Sequence, residues 1–208
     1  MKEGYKMKTV EPIRDIRIIR IMRLYLRDKS LRNELLFILG INVGLRISDI
    51  LKLTFEDVIN FKNMKAKEYV IIIEKKTSKT KKFYIGSIVS KLIEGYAATL
   101  EDVLPNMYVF CSKKSENKPI TRQHAWYILN NAAEMIGIVD RDHNGNIVSG
   151  EIGTHTMRKT FGYHAYTNGT TIELLMDIFN HSSKLQTLKY IGITEDQKKE
   201  VYMRSNLG

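Results

Sequence analysis

The fold and the chemistry of this chain are best approached from one stretch, Thr154-His155-Thr156-Met157-Arg158-Lys159-Thr160. If the stretch is helical, His155 and Arg158 are three residues apart and share one face. That face presents a titratable imidazole and a guanidinium, and a guanidinium can bind two phosphate oxygens at once, which an ammonium cannot. The stretch therefore predicts a helix with an anion-binding face. Taken alone, the same two residues could also cap a helix or form a surface pair.

Two further segments carry side chains that an ordinary core does not need. The first places an arginine in an otherwise apolar run, Gly44-Leu45-Arg46-Ile47-Ser48-Asp49. A buried guanidinium is costly unless it is paired or binds an anion, so Arg46 either pairs with Asp49 or serves an anion site. The second is Asn180-His181-Ser182-Ser183, followed by Thr187 and Tyr190. By themselves, its histidine could be a core residue and its tyrosine one of eleven that simply pack.

Taken in this order, the three segments resemble the conserved boxes of the tyrosine recombinases, the phage-integrase family. The segment 44–49 is similar to the family's first box, and residues 155–158 resemble its H-x-x-R box. His181, Thr187 and Tyr190 resemble the final histidine and the nucleophilic tyrosine, which follow Arg158 by 23 and 32 residues. The resemblance extends from about Pro12 to Ile193. Asn180 departs from the pattern, because a glycine commonly precedes the histidine in the family.

The resemblance implies a catalytic set and a role for each member. Tyr190 would attack a DNA phosphodiester, with His155 as general base, and Arg46 and Arg158 would hold the two non-bridging oxygens. His181 would donate a hydrogen bond to the same phosphate, and Asp49 would orient Arg46. The full expected set is Arg46, Lys76, His155, Arg158, His181 and Tyr190, with neither a cofactor nor a metal.

The lysine of this set lies in a predicted hairpin whose tip spans residues 74–82 and holds five lysines. The family uses a hairpin lysine to protonate the leaving 5′-oxygen. The Lys-Thr pair just after the first strand favours Lys76, and Lys79, which also precedes a threonine, is the alternative. We expect the other lysines to contact phosphates or to lie on a solvated tip.

The coarse pattern predicts a mostly α fold with a small antiparallel β-hairpin sheet, the α+β fold of the tyrosine-recombinase catalytic domain. Apolar spacing predicts helices from Pro12, over Leu31–Asn42, Ile47–Leu53, Ile88–Leu100 and Thr121–Ile136, and from His155 to the end with breaks near Gly169 and His181. β-Branched and apolar runs predict strands at Tyr69–Ile73, Lys82–Ile85 and Tyr108–Cys111. We expect residues 1–11 to be an N-terminal tail and residues 12–208 to be one catalytic domain, without the family's core-binding domain.

Composition favours a polyanion as the partner. The chain has 208 residues, a formal net charge of +10 and a single cysteine, which cannot form an internal disulfide. A basic excess of this size attracts nucleic acid. With the resemblance, the expected partners are double-stranded DNA, further copies of the chain in a synaptic tetramer, and accessory factors that bend DNA or set direction. The alternatives are relaxation of DNA like that of a type IB topoisomerase, and a DNA-binding module without catalysis.

The sequence predicts neither a membrane partner nor a signal peptide, because no apolar stretch approaches the length of a span. We therefore expect a cytoplasmic protein of a prokaryote or a virus, associated with the nucleoid when it is bound to DNA.

One motif competes with this interpretation. Asp140 to Glu151 satisfies the EF-hand calcium-loop pattern, with carboxylates at positions one, three and twelve. Val148 offers no side-chain oxygen at the ninth position, and the Asn-Gly pair at 144–145 is typical of a hairpin turn. We expect a surface turn here, with calcium binding as the alternative.

Overall fold

The computed structural model describes residues 10–74, 79–112, 117–153 and 155–204. Within them the chain is mostly helical, as predicted, and three two-stranded antiparallel sheets interrupt the helices. The helices are α1 (Ile16–Lys29), α2 (Leu31–Val43), α3 (Ile47–Ile50), α4 (Phe55–Val58), α5 (Ser87–Ala97), α6 (Arg122–Met135), α7 (Thr156–Thr167), α8 (Ile172–Phe179), α9 (Lys184–Ile191) and α10 (Ile193–Arg204). The strands are β1 (Ile59–Asn60), β2 (Lys65–Ala66), β3 (Tyr69–Ile73), β4 (Thr80–Tyr84), β5 (Asp140–Arg141) and β6 (Ile147–Ser149).

Several boundaries differ from the sequence-based expectation for local reasons. Helix α1 begins at Ile16 rather than near Pro12, because the Asp15 side chain accepts the backbone N–H of Arg17 and caps the helix there. Helix α3 has four residues and ends at Ile50. The run at 108–111 makes isolated bridges, Thr54 to Tyr108 and Cys111 to Pro119, instead of a strand. The first tail residues, 1–9, lie outside the described part of the chain.

Most of the apolar core surrounds α2, nine of whose thirteen residues are buried. Helix α7 crosses α2 so closely that a Cβ on Gly40 would lie 2.4 Å from the Met157 sulfur. A second, smaller cluster joins α7, α8 and α9, and it contains Leu175, Phe179 and Ile191 with Tyr190 packed against it. These two packing regions bring the end of α2, the start of α7 and the α8–α9 turn to one place.

The β3–β4 hairpin has one face toward the protein and one toward solvent. Its register pairs Tyr69 with Tyr84 and Ile73 with Thr80. Side chains alternate between the two faces of a strand. In β4 and the residue after it, Lys81, Phe83 and Ile85 point inward. Lys82 points outward, with its ammonium 4.2 Å from the centroid of the Tyr69 ring. The inward face therefore ends in a charged residue at the tip.

The segment 140–151 forms the expected turn. Strands β5 and β6 pair antiparallel across it. The Asp142 carboxylate accepts hydrogen bonds from the backbone N–H groups of Asn144 and Asn146, at 2.9 and 2.8 Å, and these bonds lower its pKa. Asp140 accepts the Ser149 hydroxyl, and Glu151 accepts the Trp126 indole N–H. The three carboxylates thus bind different partners, and the described residues contain no group of three His, Cys, Asp or Glu arranged to hold a metal ion.

The segment before α1 is attached to α7 by its backbone. The N–H of Ile13 donates to the Thr160 hydroxyl at 2.9 Å, and its carbonyl lies 2.9 Å from the His164 Nε2 atom. Arg14 donates to the Gly192 carbonyl at 3.4 Å, directly after α9. In the described part of the chain, no helix has both the length and the apolar character needed to cross a membrane.

Candidate active site

Arg158 is the most deeply buried cation of the candidate site. It lies in the first turn of α7 and is 2% exposed. Its Nη1 donates to the Gly44 carbonyl at 2.5 Å and its Nη2 to the Phe179 carbonyl at 2.9 Å. A guanidinium has five N–H donors, so two go to these carbonyls and the others can serve a ligand. Arg158 therefore connects the end of α2 to the end of α8 and presents positive charge between them.

Arg46 lies next to Arg158 and is held by a residue that the sequence analysis did not single out. Gly44 ends α2 in the left-handed region, at φ 61°, and the chain then turns so that Arg46 precedes α3. Its Nη1 lies 2.8 Å from Oε1 of Glu74, whose side chain is 1% exposed. Asp49, the expected partner of Arg46, is also buried, at 4% exposed. The ion pair with Glu74 therefore connects Arg46 to the β3–β4 hairpin.

Tyr190 and His155 lie within hydrogen-bond distance of each other. The Tyr190 hydroxyl lies 3.2 Å from His155 Nδ1. Burial raises the pKa of Tyr190, and the nearby guanidiniums of Arg158 and Arg46 offset this only in part. The phenol is therefore protonated, and it donates to His155 when the imidazole proton is on Nε2. Burial, together with the charges of Arg122, Arg158 and Lys159, lowers the pKa of His155. A neutral imidazole with its lone pair toward a phenol can accept that proton.

His181 follows a turn that explains the departure at Asn180. Asn180 caps α8 in the left-handed region, at φ 56°, where glycine is the most common residue and asparagine is tolerated. The His181 Nδ1 atom lies 3.1 Å from the hydroxyl of Thr187, which itself donates to the Ser183 carbonyl. In this arrangement Thr187 accepts from Nδ1, and Nε2 faces away from it. Burial and the charges of Arg158 and Arg46 lower the pKa of His181 to about 4.

The expected catalytic lysine, Lys76, lies outside the described residues. Its alternative, Lys79, is exposed, and its ammonium lies 3.2 Å from the Asn180 side-chain oxygen. A third lysine, Lys81, was expected only as a phosphate contact or as part of a solvated tip, but it reaches the site from β4 and is 13% exposed. The Lys81 ammonium donates to the Ile178 carbonyl at 2.5 Å and lies 4.0 Å from Oε1 of Glu74. Burial, with the charge of Arg158, lowers its pKa to about 8.

These side chains form a cluster with an excess of positive charge beside a phenol. Arg46, Arg158 and Lys81 carry three positive charges, and Glu74 and Asp49 carry two negative ones. The remaining charge suits a monoanion such as a phosphodiester, whose charge grows when a nucleophile adds to phosphorus. Tyr190 is the candidate nucleophile, and its ring packs against those of His181 and Phe179, at centroid distances of 5.1 and 5.5 Å. The arrangement can support transfer of a phosphoryl group to tyrosine.

The depressed pKa of His181 gives a testable dependence of stability on pH. The folded chain releases this proton near pH 4 and the unfolded chain near 6.5. The stability that neutral His181 confers is thus complete above pH 6.5 and is lost as the pH falls toward 4. We expect the free energy of unfolding, measured by urea denaturation, to fall over this window, with at most about 1.4 kcal/mol per pH unit from this one proton. His181→Gln should reduce the slope, and replacement of the exposed His143 by Gln should not.

Comparison with known proteins identifies relatives over nearly the whole chain. The model of the phage integrase family matches residues 15–197. A probable integrase/recombinase of Bacillus subtilis, YoeC, is 41% identical over 196 residues, which cover 94% of this chain and 97% of that protein. The tyrosine recombinase XerD of Corynebacterium glutamicum is 28% identical over 180 residues, 85% of this chain. The chain spans about half of that recombinase, 52% of its length.

A solved structure has the same fold. The Tn1549 transposon integrase, in complex with a circular intermediate DNA, superposes with a TM-score of 0.65 at 16% identity. The match covers 94% of this chain and 67% of that one. The similarity in structure therefore extends over nearly the whole chain.

Proposed function

The chain belongs to the phage integrase family of site-specific DNA recombinases, and on that premise we propose that it cuts and rejoins DNA through a covalent bond to Tyr190. The observation that carries this proposal is the proximity of Tyr190 to His155, His181 and Arg158, with Arg46 beside them. Four different segments contribute these residues, the α2–α3 connection, α7, the α8–α9 turn and α9 itself.

The proposed step is a transesterification. The Tyr190 oxygen attacks phosphorus, and the bond between phosphorus and the 5′-oxygen breaks. The phenolic proton passes to His155 Nδ1, 3.2 Å away, and a lysine of the hairpin protonates the leaving 5′-oxygen. The products are a 3′-phosphotyrosyl ester and a free 5′-hydroxyl. Because the ester conserves the bond energy, a 5′-hydroxyl from another strand can reverse the step and join the strands.

Lys76 is our candidate for the proton donor, from the resemblance, with Lys79 as the alternative. Arg46 and Arg158 would offset the charge that develops on the non-bridging oxygens in the transition state. His181 is neutral before DNA binds. A phosphate nearby would raise its pKa, so that Nε2 becomes protonated and donates to an oxygen. The two guanidiniums and the ammonium supply the positive charge, so the proposed step runs without a cofactor.

The proposed partners are double-stranded DNA and further copies of the chain. The net charge of +10 favours DNA, and the Tn1549 integrase, which has the same fold, was solved with DNA. Exchange between two duplexes cuts four strands, and each cut occupies one tyrosine until its strand is rejoined, so we propose one copy at each of the four cleavage positions. Accessory factors that bend DNA or set direction belong to the same proposal. A DNA substrate places the reaction in the compartment that holds the DNA, the cytoplasm in a bacterium.

The two alternatives fit the observations less well. A DNA-binding module has no need for a phenol held 3.2 Å from an imidazole. Relaxation like that of a type IB topoisomerase uses the same tyrosine chemistry, but the relatives found are integrases and recombinases. Recombinant products, as opposed to relaxed circles, separate recombination from relaxation directly.

The test is an adduct-trapping assay. A library of nicked duplexes, in which the cut fragment diffuses away and cannot rejoin, is incubated with the protein in metal chelator and resolved on denaturing gels. We expect a covalent adduct that keeps a label on the scissile phosphate or at the 5′ end of the cut strand, and a peptide map that places the DNA on Tyr190. Tight binding of DNA with no adduct on any member of the library would contradict the proposal.

A further inference from the structure

We propose that Lys81 is a positioning residue for DNA cleavage, which holds the C-terminal turn of α8, and through it Arg158 and His181, against the Glu74–Arg46 ion pair. This inference rests on the proposed function and adds a residue to it. It begins with the alternation of β4, in which Lys81 shares the inward face with Phe83 and Ile85. A lysine at such a position normally costs stability, because its ammonium leaves water.

The contacts of Lys81 show which groups stabilise its ammonium. Its side chain is 13% exposed, and its ammonium donates to the Ile178 carbonyl at 2.5 Å, across 97 residues of chain. Ile178 is the second-last residue of α8, where helix carbonyls have no partner within the helix. The negative end of the helix dipole lies there as well, so a cation is favourable. Lys81 thus acts as a cap of α8 supplied by the hairpin.

The next residues along the chain connect this cap to the catalytic cluster. The Phe179 carbonyl accepts from Arg158, Asn180 makes the left-handed turn, and His181 follows. On the hairpin side, Glu74 lies 4.0 Å from the Lys81 ammonium and 2.8 Å from Arg46. The Asn180 amide also donates to Glu74, at 3.4 Å. Lys81 therefore stands between the two groups of phosphate-binding side chains, Arg46 on one side and Arg158 with His181 on the other.

The neighbouring residue offers a matched control. Lys82 carries the same charge on the same strand, but it points outward and lies over the Tyr69 ring. Loss of either lysine lowers the net charge by one and weakens the general attraction for DNA equally. Only the loss of Lys81 removes a contact with α8. A difference in the rate of adduct formation between Lys81→Met and Lys82→Met is therefore due to the position of Lys81 and not to the loss of one charge.

The experiment measures the rate of adduct formation in a single turnover, as a function of DNA concentration, for the wild type and both methionine variants. We expect Lys81→Met to lower the rate at saturating DNA by about 10- to 100-fold, the scale expected when catalytic groups shift by about 1 Å. Lys82→Met should change the DNA concentration for half-saturation and leave the saturated rate within about twofold. Equal saturated rates for the two variants would overturn the proposal.

A second substrate separates positioning from proton donation. In a duplex whose leaving 5′-oxygen is replaced by sulfur, the departing thiolate needs no proton. Loss of the proton donor is then rescued, whereas loss of phosphate positioning is not. We expect Lys81→Met to be slow on both substrates, and rescue of this variant by sulfur would show that Lys81 acts on the leaving group instead.

Two measurements keep this test independent of folding and of the proposed function. Circular dichroism and urea denaturation check that the variants are folded. The amide of Lys81→Gln can still donate to the Ile178 carbonyl. This variant should therefore give a saturated rate between those of Lys81→Met and the wild type. A rate no higher than that of Lys81→Met would also count against the inference. If the wild type itself forms no adduct at Tyr190, the proposed function fails, which is a different result from equal rates in two active variants.

Discussion

Replacement of Tyr190 by Phe is expected to abolish the covalent protein–DNA adduct and to leave the fold and the affinity for DNA intact. The hydroxyl is the only group removed, and in the proposed reaction its oxygen is the atom that bonds to phosphorus. Loss of a nucleophile commonly lowers the rate by several orders of magnitude, and we expect a fall of at least about 10⁴-fold. The ring keeps its contacts with Phe179 and His181, so stability should change by no more than about 1 kcal/mol.

Tyr166→Phe is the matched control for this result. Tyr166 is also partly buried and packs in the same small cluster of α7, α8 and α9. It should form the adduct at close to the wild-type rate. The measurement is the fraction of DNA in the adduct over time, with binding followed separately by a mobility shift. An adduct of undiminished yield with Tyr190→Phe would assign the nucleophile to another residue.

Arg158→Lys is expected to lose activity although it keeps the charge. An ammonium cannot replace the fork that donates to the Gly44 and Phe179 carbonyls and still reach a phosphate. One lost hydrogen bond to a charged donor costs about 1.5–3 kcal/mol, and we expect a fall of that size in the free energy of unfolding. Removal of a donor that stabilises transition-state charge costs about 10²- to 10³-fold in rate, and the adduct rate should fall at least that far.

The control is the same substitution, arginine to lysine, at a position outside the site. Arg20 is exposed on α1, and Arg20→Lys should change stability by less than about 0.5 kcal/mol. Urea denaturation and the single-turnover adduct assay at saturating DNA give both readouts. A fully active, fully stable Arg158→Lys would mean that the two carbonyl contacts do not hold the site together.

The parts of the site that the sequence predicted are those encoded in short, local patterns. The three-residue step from His155 to Arg158 needs only a helix to bring both to one region, and the helix is present as α7. Gly44 and Asn180 mark turns in the left-handed region, at φ 61° and 56°. Each turn ends its helix, so Arg46 and His181 lie outside the helices that precede them. The mostly helical fold with a small hairpin was confirmed.

Glu74 and Lys81 were missed because their roles depend on contacts between distant parts of the chain. Lys81 meets Ile178 across 97 residues, and Glu74 meets Asn180 across 106. Composition alone does not indicate which of the five hairpin lysines reaches the candidate site. The signal that was available is the alternation of β4, which places Lys81 on the same side as Phe83 and Ile85. A charged residue on the apolar side of a strand requires a partner, and that requirement points to a site.

The Arg158 contacts join residues that are far apart in sequence, and this separation determines when the candidate site can form during folding. Gly44 and Arg158 are 114 residues apart, and the loop between them must close before the guanidinium has its partners. Contacts of such high separation form late in folding, because the chain entropy lost on closing the loop comes before any gain. Tyr190 is translated later still. In a nascent or partly folded chain the side chains of the candidate site are therefore still apart, so the capacity to break DNA arises only with the finished tertiary structure.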